Sequence, residues 1–157
     1  MNTTIGESAN TGIHEPFEIT VRVRPEDIDE LGHVNNVHYL RWVQDAAVAH
    51  WKALAPREDQ DRLLWVVLRH EIDYKHAAKA GDELIARTWV GESTRIAFER
   101  LTEIRRSADG QVLAKARTLW CPIDAKTRRP VQVGPRVREI FSSPVRQKPE
   151  ASGGEET

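Results

Sequence analysis

Two carboxylates and a histidine precede the longest apolar segment of the chain, at a spacing that could support acid–base chemistry. Asp27, Asp29 and His33 lie between Arg24 and Asn36. A carboxylate can attack a carbonyl carbon directly or remove a proton from the water that attacks it. The segment therefore contains a candidate nucleophile or general base for hydrolysis at a carbonyl carbon.

A long helix is predicted directly after these residues. From Val37 the chain has no Gly or Pro until Pro56, which predicts roughly five helical turns. Asn35 and Asn36 are candidate caps, because an Asn side chain accepts a hydrogen bond from an amide of the first turn. The free amides and the positive end of the helix dipole would then lie beside Asp29 and could stabilise charge on a carbonyl oxygen. The alternative is that Asp29 only caps a turn.

The other polar side chains have simpler structural explanations. Asp27 is predicted to fix the turn or to pair with Arg22 or Arg24. The histidines within and before the helix do not have the spacing of a zinc site, so neither a metal nor a cofactor is expected. His70 and His76 are predicted to be buried and hydrogen-bonded. Five basic residues are interpreted as a solvated face or as contacts to phosphate groups: Arg69, Lys75, Lys79, Arg95 and Arg100.

Alternating apolar residues and turn residues predict an α+β chain of one strand, one long helix and four more strands. The predicted strands are 17–24, 64–76, 82–91, 96–106 and 111–123, with a short helical turn at 25–29 and a closing helix at 135–141. The mainly apolar face predicted for the second strand consists of Leu64, Val66, Leu68, His70, Ile72, Tyr74 and His76. An apolar helix on the concave face of one curved antiparallel sheet would bury both elements.

Length and composition indicate one globular domain without a strong electrostatic preference. The chain has 157 residues and a formal net charge of −1, so neither nucleic acid nor a membrane is an expected partner. Polar segments at 1–15 and 142–157 are predicted to be disordered tails around a domain at 16–141. The single cysteine, Cys121, and the lack of a signal peptide pattern or a long apolar run predict a cytoplasmic protein.

The segment around Asp29 also resembles the signature of a known family. The pattern Arg24-x-x-Asp27-x-Asp29-x-x-Gly32-His33-Val34-Asn35-Asn36-x-x-Tyr39 is similar to that of hotdog-fold acyl-CoA thioesterases of the 4-hydroxybenzoyl-CoA thioesterase type. The resemblance extends from about position 17 to position 141. It implies a hotdog fold, in which a curved antiparallel sheet of about five strands wraps around one long central helix.

The resemblance implies roles for three residues. Asp29 matches the family's catalytic carboxylate, and the backbone amide of Asn36 matches the position that polarises the carbonyl group. His33 has two candidate roles, either holding the loop that presents Asp29 or acting directly, as in the plant acyl-ACP thioesterases. The plant motif has Asn where this chain has Leu31, which favours the supporting role.

By this resemblance the chain is expected to hydrolyse an acyl-CoA to a free acid and CoA, without a metal or a redox cofactor. An acyl-ACP is the alternative substrate, and a non-catalytic acyl-CoA-binding hotdog protein is the alternative from another class. A hotdog hydratase is disfavoured, because Asp29 and His33 are one residue closer than in the hydratase pattern. The resemblance also implies a homodimer or homotetramer with active sites between subunits. The identity of the acyl chain does not follow from the sequence.

Overall fold

The computed structural model describes residues 15–141 of the protein, and the tails predicted at 1–15 and 142–157 lie, apart from residue 15, outside this range. No helix in the described range is long and apolar enough to cross a membrane. The elements of this range are β1 (Phe17–Arg22), a 3₁₀ turn (Pro25–Asp27), α1 (Asn36–Leu54), α2 (Arg57–Arg62), β2 (Leu63–Tyr74), β3 (Glu83–Ser93), β4 (Phe98–Arg106), β5 (Val112–Asp124) and α3 (Pro135–Phe141). This order confirms the predicted α+β class.

The five strands form one antiparallel sheet in the order β1-β3-β4-β5-β2. The strands β3, β4 and β5 follow one another as hairpins in the middle, whereas β1 and β2 are the two edges. Because α1 lies between β1 and β2 in the chain, it joins the two edges and packs across the face of β1, β3 and β4. This is the arrangement of one central helix on one sheet that the hotdog resemblance implies.

The long helix begins where the sequence predicts. Asn35 is its N-cap, and Asn35 Oδ1 accepts a hydrogen bond of 3.1 Å from Val37 N. The apolar side chains of α1 pack on buried residues of the sheet such as Ile19 and Leu84, which gives the main core. The buried residues of the helix are Tyr39, Trp42, Val43, Ala46, Ala47 and His50. The apolar residues among them follow the helical periodicity of the sequence, whereas the burial of His50 is not predicted by that pattern.

The alternation predicted for the second strand is wrong in its first half. A β-bulge leaves Leu68 without a partner on β5, between the paired residues Val67 and Arg69. One extra residue reverses the face on which all preceding side chains lie. Leu64, Val66 and Leu68 are therefore 37%, 43% and 57% exposed instead of facing the core.

A second apolar cluster packs at the C-terminal end of α1. Val137 and Phe141 of α3 pack with Leu63, Val90 and Phe98 of the sheet. The closing helix predicted at 135–141 is confirmed, and its apolar side chains cover this end of the core. The domain thus has one core under each half of the long helix.

Candidate active site

The Asp29 carboxylate is held by the backbone of its own loop. Asp29 Oδ1 accepts hydrogen bonds from the amides of Leu31 at 2.9 Å and His33 at 3.4 Å. Asp29 N donates to His33 O at 2.8 Å, and Gly32 N donates to Asp29 O at 3.0 Å. Gly32 has a φ of +78°, a conformation that glycine adopts without steric cost. Asp29 Oδ2 has no donor among residues 15–141, so this oxygen is available to a ligand.

The first turn of α1 includes an amide without an acceptor among residues 15–141, that of Asn36. Val37 N donates to the Asn35 side chain, and His38 N donates to Asn35 O at 3.0 Å. Asn36 N has no acceptor in the described part of the chain. An unpaired amide at the positive end of a 19-residue helix is a suitable donor to a negatively charged oxygen.

Asp29 and the start of α1 line one cleft of about 390 Å³. The opposite wall comes from the end of β2 and includes Tyr74, Lys75 and His76. The Tyr74 hydroxyl donates to Asn36 O at 3.3 Å, which links this wall to the first turn of the helix. The cleft therefore combines a carboxylate, an unpaired amide and room for a ligand, which are the requirements for hydrolysis at a carbonyl carbon.

The His33 ring lies on this cleft, but its backbone makes the bonds that shape the Asp29 loop. His33 N and His33 O both bond to Asp29, while the exposed imidazole has no hydrogen-bond partner among the described residues. Within residues 15–141, no group of three or more His, Cys, Asp or Glu side chains is placed to hold a metal ion. The structure thus brings Asp29, His33 and Asn36 together at one cleft.

Asp27 connects the 3₁₀ turn to the helix. Asp27 Oδ2 accepts a bond of 2.9 Å from Arg24 N, which closes the turn as predicted. Asp27 Oδ1 lies 3.4 Å from His38 Nδ1, and Asp27 O accepts from Asn35 N at 3.0 Å. The side-chain neighbour is therefore His38 rather than Arg22, and the role of Asp27 is to hold the loop against the helix.

Sequence periodicity did not assign the end of β2 to the site. His76 is exposed, contrary to the prediction, because the strand ends at Tyr74 and the chain leaves the sheet there. His70 is hydrogen-bonded as predicted, with Nδ1 3.0 Å from Thr118 Oγ1, but it is half-buried rather than buried, and this partial burial lowers its pKa. The position of this segment is set by long-range bonds, such as the 2.9 Å bond from Ala78 N to the Tyr39 hydroxyl.

A buried cation lies away from the cleft. Arg100, which the sequence places on a solvated face, is only 8% exposed. Arg100 Nη1 donates to His50 Nδ1 at 2.8 Å and to Thr88 Oγ1 at 3.3 Å. Burial and the charge of Arg100 lower the pKa of His50 to about 3, and burial lowers the pKa of Arg100 to about 10. At neutral pH the pair therefore consists of a charged arginine and a neutral histidine.

Comparison with known proteins extends the similarity beyond the motif. The chain is 26% identical over 138 residues to the long-chain acyl-CoA thioesterase FadM of Escherichia coli (strain K12), covering 83% of this chain and 100% of that protein. It is 28% identical over 105 residues, or 61% of this chain, to the chloroplastic acyl-[acyl-carrier-protein] hydrolase FATB3 of Cuphea viscosissima. The chain spans only 26% of the length of that plant protein.

A solved structure has a similar fold over nearly its whole length. A thioesterase of Thermus thermophilus, complexed with coenzyme A and Zn, has a TM-score of 0.71 and 25% sequence identity, covering 82% of this chain and 99% of that one. The family model of the thioesterase-like superfamily matches residues 23–141, which include the Asp29 loop, α1 and the strands β2 to β5. The chain therefore belongs to the thioesterase-like superfamily.

Proposed function

We propose that the protein hydrolyses the thioester of an acyl-CoA to a free acid and CoA at the cleft that contains Asp29. The observation that carries this proposal is that Asp29 and Asn36 line the same cleft. Neither Asp29 Oδ2 nor Asn36 N has a hydrogen-bond partner among the described residues. The carboxylate can act on the acyl carbon while the amide binds the carbonyl oxygen. Membership of the thioesterase-like superfamily supports this reaction class.

Asp29 acts in this reaction as a nucleophile or as a general base. As a nucleophile, Oδ2 bonds to the acyl carbon, the C–S bond breaks with departure of the CoA thiolate, and water then cleaves the anhydride. As a general base, Oδ2 accepts a proton from the water whose oxygen attacks the same carbon. In both routes negative charge develops on the carbonyl oxygen, where the Asn36 amide stabilises it. The two amides on Oδ1 orient the carboxylate before the substrate binds.

Thiol release from a panel of acyl-CoAs tests the proposal. We expect turnover by the native protein and a loss of at least ~10²-fold in kcat for Asp29→Asn, with little change in KM, because the amide keeps the shape but not the charge. Glu30→Gln is the matched control, since Glu30 is the exposed neighbouring carboxylate outside the cleft. Retention of more than half of the activity in Asp29→Asn would exclude Asp29 as the catalytic group.

The carrier of the acyl group is the second part of the proposal. The acyl-CoA thioesterase FadM aligns over its full length, whereas the acyl-ACP hydrolase FATB3 aligns over about a quarter of its length, and this favours CoA. Acyl-ACP hydrolysis is the alternative. Comparing kcat/KM for one acyl chain on CoA and on acyl carrier protein decides between them, and a higher value for the ACP thioester would reverse the assignment. A protein that binds acyl-CoA without any thiol release would be the non-catalytic alternative.

The proposal includes self-association as a homodimer or homotetramer. The edge strand β2 presents unpaired backbone groups together with the exposed side chains of Leu64, Val66 and Leu68. Such an edge favours pairing with a second copy of the chain. The same strand ends at Tyr74 on the wall of the Asp29 cleft, so a second copy would lie beside the site.

A further inference from the structure

A second cavity lies near the opposite end of α1 from the Asp29 cleft. It lies between α1, the sheet and α3, is partly open to solvent and has a volume of about 60 Å³; its lining includes Trp51, Trp65, Trp120, Phe98 and Phe141. This space is named the aromatic cavity below. A single water needs about 10–15 Å³ of such space, so the cavity has room for roughly four or five water-sized groups. Positions 36 and 51 are roughly 22 Å apart along the helix axis, so the two sites are separate.

The aromatic cavity contains a charge that the described protein does not neutralise. Arg100 lines the cavity, and its two hydrogen bonds go to neutral acceptors, His50 and Thr88. No carboxylate of residues 15–141 lies within ion-pair distance of Arg100. An unpaired buried charge is costly, and the cost is offset when a bound anion supplies the opposite charge.

Every polar side chain on the wall of this cavity is a donor. Besides Arg100, the wall holds the indoles of Trp51, Trp65 and Trp120. Trp65 Nε1 and Trp120 Nε1 have no acceptor among the described residues, but they are almost inaccessible, so Arg100 is the donor that a ligand in the cavity can reach. Guanidinium and indole groups can donate but not accept hydrogen bonds. The wall therefore complements a ligand that brings acceptor atoms into an otherwise apolar space.

We propose that the aromatic cavity binds a carboxylate carried on an apolar chain and that Arg100 pairs with this carboxylate. Both bonds of Arg100 use Nη1, which leaves Nε and Nη2 without partners in the described chain. A guanidinium binds the two oxygens of a carboxylate through such a pair of N–H groups. The cavity has room for the carboxylate and one or two methylene groups, while the aromatic rings contact the rest of the apolar chain.

Two sources can supply this group. One is a free fatty acid, including the acid released from a substrate. The other is the far end of a dicarboxylic acyl group, whose first carboxyl forms the thioester; this second source rests on the proposed function. A thioester of a monocarboxylic acid has no free carboxylate, so the two sources are distinguishable.

Binding of free acids is tested without any enzymatic activity. Three of the tryptophans line the cavity, so their fluorescence reports its occupancy. We expect octanoate to change the emission saturably and to bind at least tenfold more tightly than 1-octanol. In Arg100→Met the difference between the two ligands should disappear, because Met preserves apolar contact but not the charge. Arg57→Met is the matched control, since Arg57 is an exposed arginine on α2.

Thioester selectivity is tested with the CoA esters of hexadecanoic and hexadecanedioic acid, because their extended chains approach the separation of the Asp29 cleft and the aromatic cavity along α1. If the cavity receives an acyl terminus, kcat/KM should be at least tenfold higher for the hexadecanedioyl ester. Arg100→Met should reduce this ratio to about one, because the loss of charge affects the ester with the free carboxylate. Should Arg100→Met fail to fold, Arg100→Lys keeps the charge without the planar pair of N–H groups and should weaken octanoate binding or selectivity by about tenfold.

Either effect supports the proposal and identifies the source of the carboxylate. Equal binding of octanoate and 1-octanol together with equal hydrolysis of both esters would overturn it. Discrimination that persists in the arginine variants would also overturn it, because another group would then bind the acid. Failure of the native protein to hydrolyse any thioester contradicts the proposed function but leaves the octanoate titration as the test of the cavity.

Discussion

At the scale of single residues, the Asp29 loop depends on the backbone of His33 more than on its ring. The His33 amide and carbonyl both bond to Asp29, and the exposed imidazole has no partner among the described residues. A change of side chain at this position therefore preserves the bonds that orient the carboxylate. The remaining question about the His33 imidazole is whether it takes part in proton transfer.

We expect His33→Gln to retain most of the catalytic apparatus. The loss of kcat should be about tenfold or less, with an unchanged shape of the pH–rate profile, because the oriented carboxylate and the helix amide remain. If His33 were the general base, Gln could not accept the proton, and the loss would approach that of Asp29→Asn. Steady-state kinetics across pH, with circular dichroism to verify folding, distinguishes the two roles.

The buried His50 makes stability depend on pH. Its pKa is lowered from 6.5 to about 3, so below pH 6.5 the unfolded chain binds a proton that the folded protein excludes. The contribution of His50 to the free energy of unfolding is therefore fully present above pH 6.5. It decreases as the pH falls towards 3, by at most about 1.4 kcal/mol per pH unit. Burial of His70 acts in the same direction.

We expect His50→Gln to flatten this pH dependence. Gln keeps an acceptor for Arg100 but does not titrate, so the decrease in the free energy of unfolding between pH 6.5 and 4 should be smaller than in the native protein. Urea unfolding at several pH values measures it, and His76→Gln is the control because His76 is exposed. An unchanged slope in His50→Gln would show that this histidine does not carry the effect.

At the scale of elements, the cap of α1 has both a structural and a functional consequence. Asn35 Oδ1 accepts from Val37 N, Asn35 O accepts from His38 N, and Asn36 N is left over for a ligand. The cap thus occupies the amides of Val37 and His38 and leaves that of Asn36 unpaired among the described residues. Because Asn35 also donates to Asp27 O, the same residue attaches the helix to the preceding turn.

Asn35→Ala should lower the free energy of unfolding by about 1 kcal/mol, the usual cost of removing a helix cap. Asn35→Ser should restore most of this loss, since a serine hydroxyl also accepts a bond from the first turn. Chemical denaturation of the three proteins measures the differences. Equal stability of the alanine variant and the native protein would mean that the bond to Val37 N contributes little.

At the scale of the whole molecule, the sheet has two edge strands, β1 and β2. Within residues 15–141, β2 is the edge strand that carries a row of exposed apolar side chains. The bulge at Leu68 is responsible, because it exposes Leu64, Val66 and Leu68 along the edge strand β2. In a symmetric dimer each of these side chains occurs twice in the interface. A single charged substitution on β2 therefore introduces two charges into the contact.

Light scattering at micromolar concentration should give a mass of at least twice the 17.9 kDa of the chain. Val66→Lys should shift the mass towards one chain, because two lysines would face each other across the edge. Ile96→Lys is the control, since Ile96 is 63% exposed at the connection between β3 and β4. A native protein that scatters only as a single chain would contradict the self-association.

The sequence alone predicts the α+β class, the beginning of α1 and the grouping of Asp29, His33 and Asn36. These features depend on interactions over a few residues: a cap bonds two positions ahead, and the Asp29 loop closes within four residues. Hydrogen bonds between residues that are close in sequence can be predicted, because the residue types that form them occur at fixed spacing. The superfamily match over 23–141 confirms the family resemblance that was drawn from this pattern.

The tertiary structure alone decided the second wall of the cleft, the bulge in β2 and the burial of Arg100. Tyr74 meets the start of α1 from 38 residues away, and Arg100 meets His50 across 50 residues. In a strand, one inserted residue exchanges the buried and exposed faces, so periodicity alone cannot assign them. An arginine is buried or solvated according to the neighbours that strand pairing and helix packing bring to it. This is why the aromatic cavity, with its unpaired charge, has no signature in the sequence.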